Sequence, residues 1–102
     1  MSRRENRDPL SINVAVRAER RRYRVELSDL SCRGCRIVAP LSPLTIGDRL
    51  SIRPDGMESL TGTVRWSSSE DAGFEFDYPL HPAVASHLCR QNPPRNSEKH
   101  LH

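Results

Sequence analysis

The chain has 102 residues, 35% of them hydrophobic and 28% charged, and its mean hydropathy is −0.67. This length corresponds to about one domain with one small core, so neither a two-domain enzyme nor a multilayered architecture is expected. The apolar runs are too short to cross a bilayer, and no apolar stretch follows the basic N-terminal residues. Neither membrane insertion nor a secretory signal is therefore predicted.

Positive charge is concentrated at the start of the chain. The net charge is +3, but residues 1–24 contain eight arginines and three carboxylates, a net charge of +5, while the remainder sums to −2. Fifteen of the sixteen basic residues are arginine, whose planar guanidinium suits phosphate, carboxylate and guanine. This distribution predicts an anionic partner.

The three cysteines favour a reducing compartment, because their number is odd and their density is low. Cys32 and Cys35 form a single Cys-x-x-Cys pair, and no second pair with convincing spacing completes a four-ligand zinc site. We therefore expect no metal, no redox function and an inward-facing Cys35. Together with the composition, this predicts a small cytoplasmic domain.

The first elements in the chain are an arm and a hairpin. Residues 1–9 lack periodicity and end in Asp-Pro, which predicts a flexible basic arm. From Ser11, three apolar residues alternate with polar ones as in a half-buried strand: Ile12, Val14 and Val16. A charged turn follows, and a second strand has the same pattern: Tyr23, Val25 and Leu27. The two strands are expected to pair.

Shorter strands follow a turn at residues 29–34. They are predicted at residues 35–38, around Leu50 and Ile52, at 60–66, and around Phe74 and Phe76. In the strand at 60–66, Trp66 falls on the same side as Gly62 and Val64. Its position in the alternation favours core packing over a base-stacking platform.

The spacing of apolar residues changes from that of a strand to that of a helix at residues 81–90. Pro82 suits a first helical position, and Val84 and Leu88 are i, i+4 neighbours. Residues 91–102 are predicted to be a disordered tail. Six closely spaced short strands predict an all-β fold over residues 10–90: a six-stranded antiparallel β-barrel with a short C-terminal helix.

Two motifs identify a family resemblance. Arg3 and Arg7 form Arg-x-x-x-Arg, and Asp29, Ser31 and Gly34 form Asp-x-Ser-x-x-Gly. The downstream features are Gly-Asp at 47–48, Gly-Thr-Val-Arg-Trp at 62–66 and Gly-Phe-Glu-Phe at 73–76. With these motifs in this order, residues 3–90 resemble the PilZ domain family. The resemblance implies a six-stranded barrel that binds the bacterial second messenger cyclic di-GMP.

Three pairs of arginines have the Arg-x-x-x-Arg spacing, because it recurs at residues 17 and 21 and at residues 20 and 24. The pair that forms the motif therefore has to be chosen. Arg7 lies 22 residues before Asp29, which leaves room for the predicted hairpin. The later pairs leave room for only one strand. The motif is therefore assigned to Arg3 and Arg7, with Arg4 as an auxiliary cation.

The resemblance implies a role for each motif residue. A guanidinium of Arg3 or Arg7 can bridge guanine O6 and N7 or hold a phosphate. The carboxylate of Asp29 complements the guanine N1–H and N2–H groups. Ser31 donates to a phosphate or fixes the turn, and Gly34 permits a positive φ and a close backbone approach.

The basic arm suggests a signalling mechanism. Cyclic di-GMP is expected to order residues 3–9 against the turn, presenting an altered face to a downstream protein partner. Arg33 and Arg36 either add positive potential or are only solvated. No cofactor besides the ligand is expected.

Two other functions fit the sequence less well. One is a protein-interaction adaptor that needs no nucleotide, and the other is nucleic-acid binding through the basic arm. Catalysis is not expected, because no nucleophile-elbow or metal-base motif surrounds Asp29, Ser31 or His81.

Overall fold

The computed structural model describes residues 8–38 and 44–94. The elements are β1 (Asp8–Ala18), β2 (Arg21–Leu30), β3 (Gly34–Val38), β4 (Arg49–Arg53), β5 (Leu60–Ser67), β6 (Asp71–Phe76) and α1 (Pro82–Gln91). All strand pairs are antiparallel, and the sheet closes in the order β1-β2-β3-β6-β5-β4. The predicted six-stranded barrel with a C-terminal helix is confirmed.

The first strand begins earlier than its alternation indicates. Asp8 pairs with Leu30, so β1 starts three residues before Ser11, and Asp8 and Pro9 belong to the barrel rather than to the arm. The Asp-Pro dipeptide, which was interpreted as the end of the arm, hides this start, although the buried Leu10 already belongs to the alternation that continues at Val14 and Val16. A register shift lies between Pro9 and Ile12. The predicted tail also begins too early, since Gln91 is the last residue of α1 and Asn92 caps it. The arm up to residue 7 and the rest of the tail from residue 95 lie outside the described residues.

A single hydrophobic core fills the barrel. Alternate residues of the strands supply it, as expected for a sheet with one buried face. Its most completely buried members include Val14, Ile37, Ile52 and Val64. The rings of Phe74 and Phe76 pack edge to face, with centroids 5.8 Å apart. Cys35 is 1% exposed, which confirms its predicted inward orientation.

Trp66 does not join the core, contrary to the prediction. A register shift between Val64 and Trp66 reverses the alternation at the end of β5, so the side chain lies on the outer face with 43% of its surface exposed. The indole covers Gly73 of β6, where a Cβ would overlap its ring. The bulge therefore converts a predicted core aromatic into a surface residue.

The helix packs against β1 and is capped at both ends. Nδ1 of His81 accepts a hydrogen bond from the Ala83 N–H (3.0 Å), and Pro82 occupies the first turn as predicted. Leu88 is buried, and the Asn92 carbonyl accepts from the Ser11 N–H (3.0 Å). No helix in the described part of the chain is long and apolar enough to cross a membrane.

Candidate ligand-binding site

The turn between β2 and β3 is fixed by Ser31. Its N–H donates to the Gly34 carbonyl (2.9 Å), and its Oγ accepts from the N–H groups of Arg33 (3.1 Å) and Gly34 (3.2 Å). Only 3% of Ser31 is exposed. Of the two roles predicted for this hydroxyl, these contacts correspond to the structural one, since a local bond network preorganises the turn.

Gly34 lacks the predicted positive φ, but it does lie at a close backbone approach, which is to β6. The glycines with a left-handed φ are Gly47 (98°) and Gly56 (79°), and Gly34 does not adopt that conformation. A Cβ at position 34 would overlap the carbonyl oxygen of Phe74 and lie 3.2 Å from the Cα of Glu75. Gly34 is therefore required by the close approach of β3 to β6.

Asp29 lies on β2 directly beside the turn, next to a register shift in the pairing of β2 with β3 and another in the pairing with β1. It pairs with Pro9 of β1 and with Arg36 of β3. The carboxylate is about one-third exposed, and its Oδ2 lies 3.6 Å from Nη1 of Arg36. The side chain thus reaches the outer surface next to the first residues of β1.

Arg36 is held by a second carboxylate rather than being simply solvated. Its Nε and Nη2 both lie 2.7 Å from Oδ2 of Asp71, whose carboxylate also accepts from Ser68 Oγ (2.7 Å). The hydrogen bonds from Ser68 and then Arg36 lower the pKa of Asp71, and the bond to Asp71 raises the pKa of Arg36. Sequence reasoning missed this network, because Asp71 is 35 residues away in the chain.

An aromatic side chain lies at the end of the same row of residues. Arg36 pairs with Gly73, and Gly73 pairs with Trp66. A hollow of about 240 Å³ beside the turn is lined by Arg33, Gly34 and Trp66, among other residues. The Gly-Thr-Val-Arg-Trp motif was the sequence signal for this indole, although alternation assigned it to the core.

The sequence of the chain matches a known protein family. The family model of the PilZ domain matches residues 2–91. The chain belongs to the PilZ domain family. PilZ domains are generally receptors for cyclic di-GMP, acting as ligand-binding or adaptor domains rather than as enzymes.

A solved structure has the same fold as this PilZ domain. It is the Inhibitor of motility (MotI/DgrA) from Bacillus subtilis, with a TM-score of 0.60 and 17% sequence identity. The alignment covers 100% of this chain and 54% of the Bacillus protein, so the chain spans about half of its length. A search of curated proteins found no match.

The charges around the turn of the PilZ domain are largely balanced. Arg36 is paired with Asp71, and Arg65 Nε lies 2.5 Å from Glu75 Oε1. Arg33 is exposed beside them. A ligand with two phosphates therefore needs positive charge from outside this part of the PilZ domain.

The alternative arginine registers are far from the turn. The two strands of the hairpin meet at residues 18–21, at the opposite end from Asp29. Arg21 and Arg24 lie eight and five residues before Asp29, which corresponds to roughly 25 Å and 16 Å along β2. The predicted ligand residues Arg3, Arg4 and Arg7 lie outside the described residues.

Proposed function

We propose that this PilZ domain is a bacterial cytoplasmic receptor for cyclic di-GMP, in which Arg3, Arg4 and Arg7 bind the ligand together with Asp29. The observation that carries the proposal is the pairing of Asp8 with Leu30 and of Pro9 with Asp29. Family membership supplies the identity of the ligand.

This pairing supports the assignment of the arginine motif. Arg7 immediately precedes Asp8, so the Cα atoms of these two residues are about 3.8 Å apart. Asp8 lies in β1 beside the last residue of β2. Arg7 is therefore bonded directly to a strand residue that lies beside the turn, whereas Arg21 and Arg24 lie far along β2.

The proposed division of roles follows from the chemistry of each group. The Asp29 carboxylate accepts hydrogen bonds from N1–H and N2–H of a guanine, and Arg36 orients it through one oxygen. Arg3 and Arg7 provide bidentate donors for the phosphates or for guanine O6 and N7. Their positive charge supplies what the balanced ion pairs around Asp29 lack.

Ligand binding would also carry the signal. Bound cyclic di-GMP holds residues 3–7 against the turn, because one ligand bridges the arginines and Asp29, and a protein partner recognises the altered face. Solution NMR tests this step by measuring backbone amide relaxation. Fast motion at residues 3–7 should fall at saturating ligand, and unchanged motion there would contradict the proposed ordering.

Isothermal titration of cyclic di-GMP into the full chain tests the receptor function, with GMP as a control ligand. We expect saturable binding to cyclic di-GMP and none to GMP. Arg7→Ala should weaken binding at least about tenfold, since it removes a charge-assisted contact of about 1.4 kcal/mol or more. Arg20→Ala, on the distant hairpin turn, is the matched control and should bind like the wild type.

The outcomes separate the receptor from its alternatives. Absence of heat and of chemical-shift changes with cyclic di-GMP would overturn the receptor proposal in favour of a nucleotide-independent adaptor. Equal losses in Arg7→Ala and Arg20→Ala would overturn the assigned register while leaving ligand binding intact. Circular dichroism of both variants checks that each retains the barrel.

A further inference from the structure

Four arginines lie together on the outer face of β2, β1 and β4. We call them the arginine cluster: Arg17, Arg22, Arg24 and Arg53. In one row of paired residues, Arg22 is opposite Arg17. In the next row, Ala15 lies between Arg24 and Arg53. Because outward residues of adjacent strands are neighbours, this register surrounds one small side chain with cationic ones.

The arginine cluster borders an open hollow of about 520 Å³. Small side chains, including Ala15 and Ser51, line it together with the four arginines, and none of the described residues that line it is a carboxylate. Because the side chain of Ala15 is small, an anionic group has room to contact several guanidiniums at once. This arrangement is a concave site of a single sign of charge.

The pairing of Arg17 with Arg22 does not stabilise the fold, although Arg53 donates to the Met57 carbonyl (3.0 Å). Arg17 and Arg22 are directly opposite each other in register, and like charges in such pairs are destabilising. For these two side chains, the structure gives no partner among the residues that it describes. Arg24 bonds to the Asn13 carbonyl (3.1 Å) and lies 3.6 Å from an exposed carboxylate, that of Asp55. An anionic partner would offset the repulsion.

We propose that the arginine cluster docks an acidic segment of a protein partner. The guanidinium fork matches a carboxylate in a bidentate arrangement, and glutamates four residues apart on a helix are about 5–6 Å from one another. That separation is similar to the spacing of outward residues on adjacent strands. Two or three carboxylates would therefore engage the cluster without a large surface.

The carboxylates next to the arginine cluster favour a short acidic segment over a nucleic acid as its partner. Glu26 is the next outward residue of β2 after Arg24 and accepts from Ser11 Oγ (2.8 Å), and Asp55 lies 3.6 Å from Arg24. A phosphate backbone extends far beyond four arginines and would meet these carboxylates. A peptide can end before it reaches them.

Fluorescence anisotropy with the full chain tests the proposal in the absence of cyclic di-GMP, so the result does not depend on the receptor function. The probe is a labelled helical peptide of about twelve residues with glutamates spaced four apart, measured at about 0.1 M salt. Arg17→Gln removes one cation from the cluster. Arg90→Gln, at the exposed end of α1, makes the same chemical change elsewhere.

We expect saturable binding that weakens about tenfold in Arg17→Gln and less than about twofold in Arg90→Gln. The thermal midpoint of Arg17→Gln should equal or exceed that of the wild type, because the repulsion with Arg22 is relieved. Equal losses in both variants, or no saturable binding, would overturn the proposal. Tighter binding of a short DNA duplex than of the peptide would overturn it in favour of a nucleic-acid site.

Discussion

Gly34→Ala provides a direct test of how the candidate site is built. The new Cβ would overlap the Phe74 carbonyl oxygen and approach the Cα of Glu75, and both are backbone atoms that no rotamer change can move. To admit the methyl group, β3 must move away from β6. The hydrogen bonds beside position 34 would then be strained, including the one from the Phe76 N–H to the Arg33 carbonyl (2.8 Å).

These contacts give the expected magnitude. Two strained backbone hydrogen bonds cost about 1 kcal/mol each, and the overlap itself costs about 1–3 kcal/mol. We therefore expect Gly34→Ala to lower the free energy of unfolding by about 3–5 kcal/mol. That is a large part of the total stability of a small domain, which is typically about 5–15 kcal/mol.

Gly56→Ala is the matched control. Position 56 has a φ of 79°, and a Cβ added there would meet no described atom within 4 Å, so its cost of about 1–2 kcal/mol is conformational only. Urea unfolding followed by circular dichroism measures both variants. If Gly34→Ala is no more destabilised than Gly56→Ala, the close approach of β3 to β6 is not the reason for this glycine.

Three further substitutions test the turn, its ion pairs and the barrel surface. Ser31→Ala leaves two backbone N–H groups without their acceptor, so the free energy of unfolding measured in urea should fall by about 1–3 kcal/mol. An unchanged midpoint of urea unfolding would contradict the role of Ser31 in the turn. Arg36→Met should weaken cyclic di-GMP binding about threefold to tenfold in calorimetry, because Asp29 loses the guanidinium that orients it. The free energy of unfolding should change by less than about 1 kcal/mol. Unchanged affinity would rule out a positioning role for Arg36. Hydrogen bonds from Arg49 and Thr61 lower the pKa of Asp77 to about 2. The stabilisation they provide is therefore complete above the ordinary pKa of about 3.8 and is lost as the pH falls from about 4 to about 2. Asp77→Asn should flatten this part of the stability profile, and an unaltered profile would contradict the assignment.

The strands and their order in the chain were predictable, because their side chains alternate with the period of a half-buried sheet. The register shifts in β1, between Leu27 and Asp29 of β2, and in β5 were not. The shift before Trp66 adds one residue to β5 and so moves the Trp66 side chain to the outer face, which the local sequence does not indicate. Trp66 is on the outer surface for this reason, and β1 begins at Asp8 rather than at Ser11.

The motif residues of the candidate site could be selected from the sequence, but the contacts that fix them in the fold could not. The motif singled out Ser31 and Gly34, yet the atoms that require a glycine belong to β6, forty residues later in the chain. Arg36 is held by a hydrogen bond to Asp71, which is similarly distant in the chain. Such constraints come from tertiary packing, which a single sequence does not display. The ligand contacts of Arg3, Arg4 and Arg7 stay predictions.

Closure of the barrel limits the ways in which a partner can recognise this domain. An open sheet offers a row of unpaired backbone groups, to which a partner can add a strand regardless of side chains. Here each described strand has a neighbour on both sides. Recognition must therefore depend on surface side chains, which single substitutions can change while the barrel is retained. Partner choice can then diverge between relatives that keep one fold, and the same closure protects the protein against edge-to-edge aggregation.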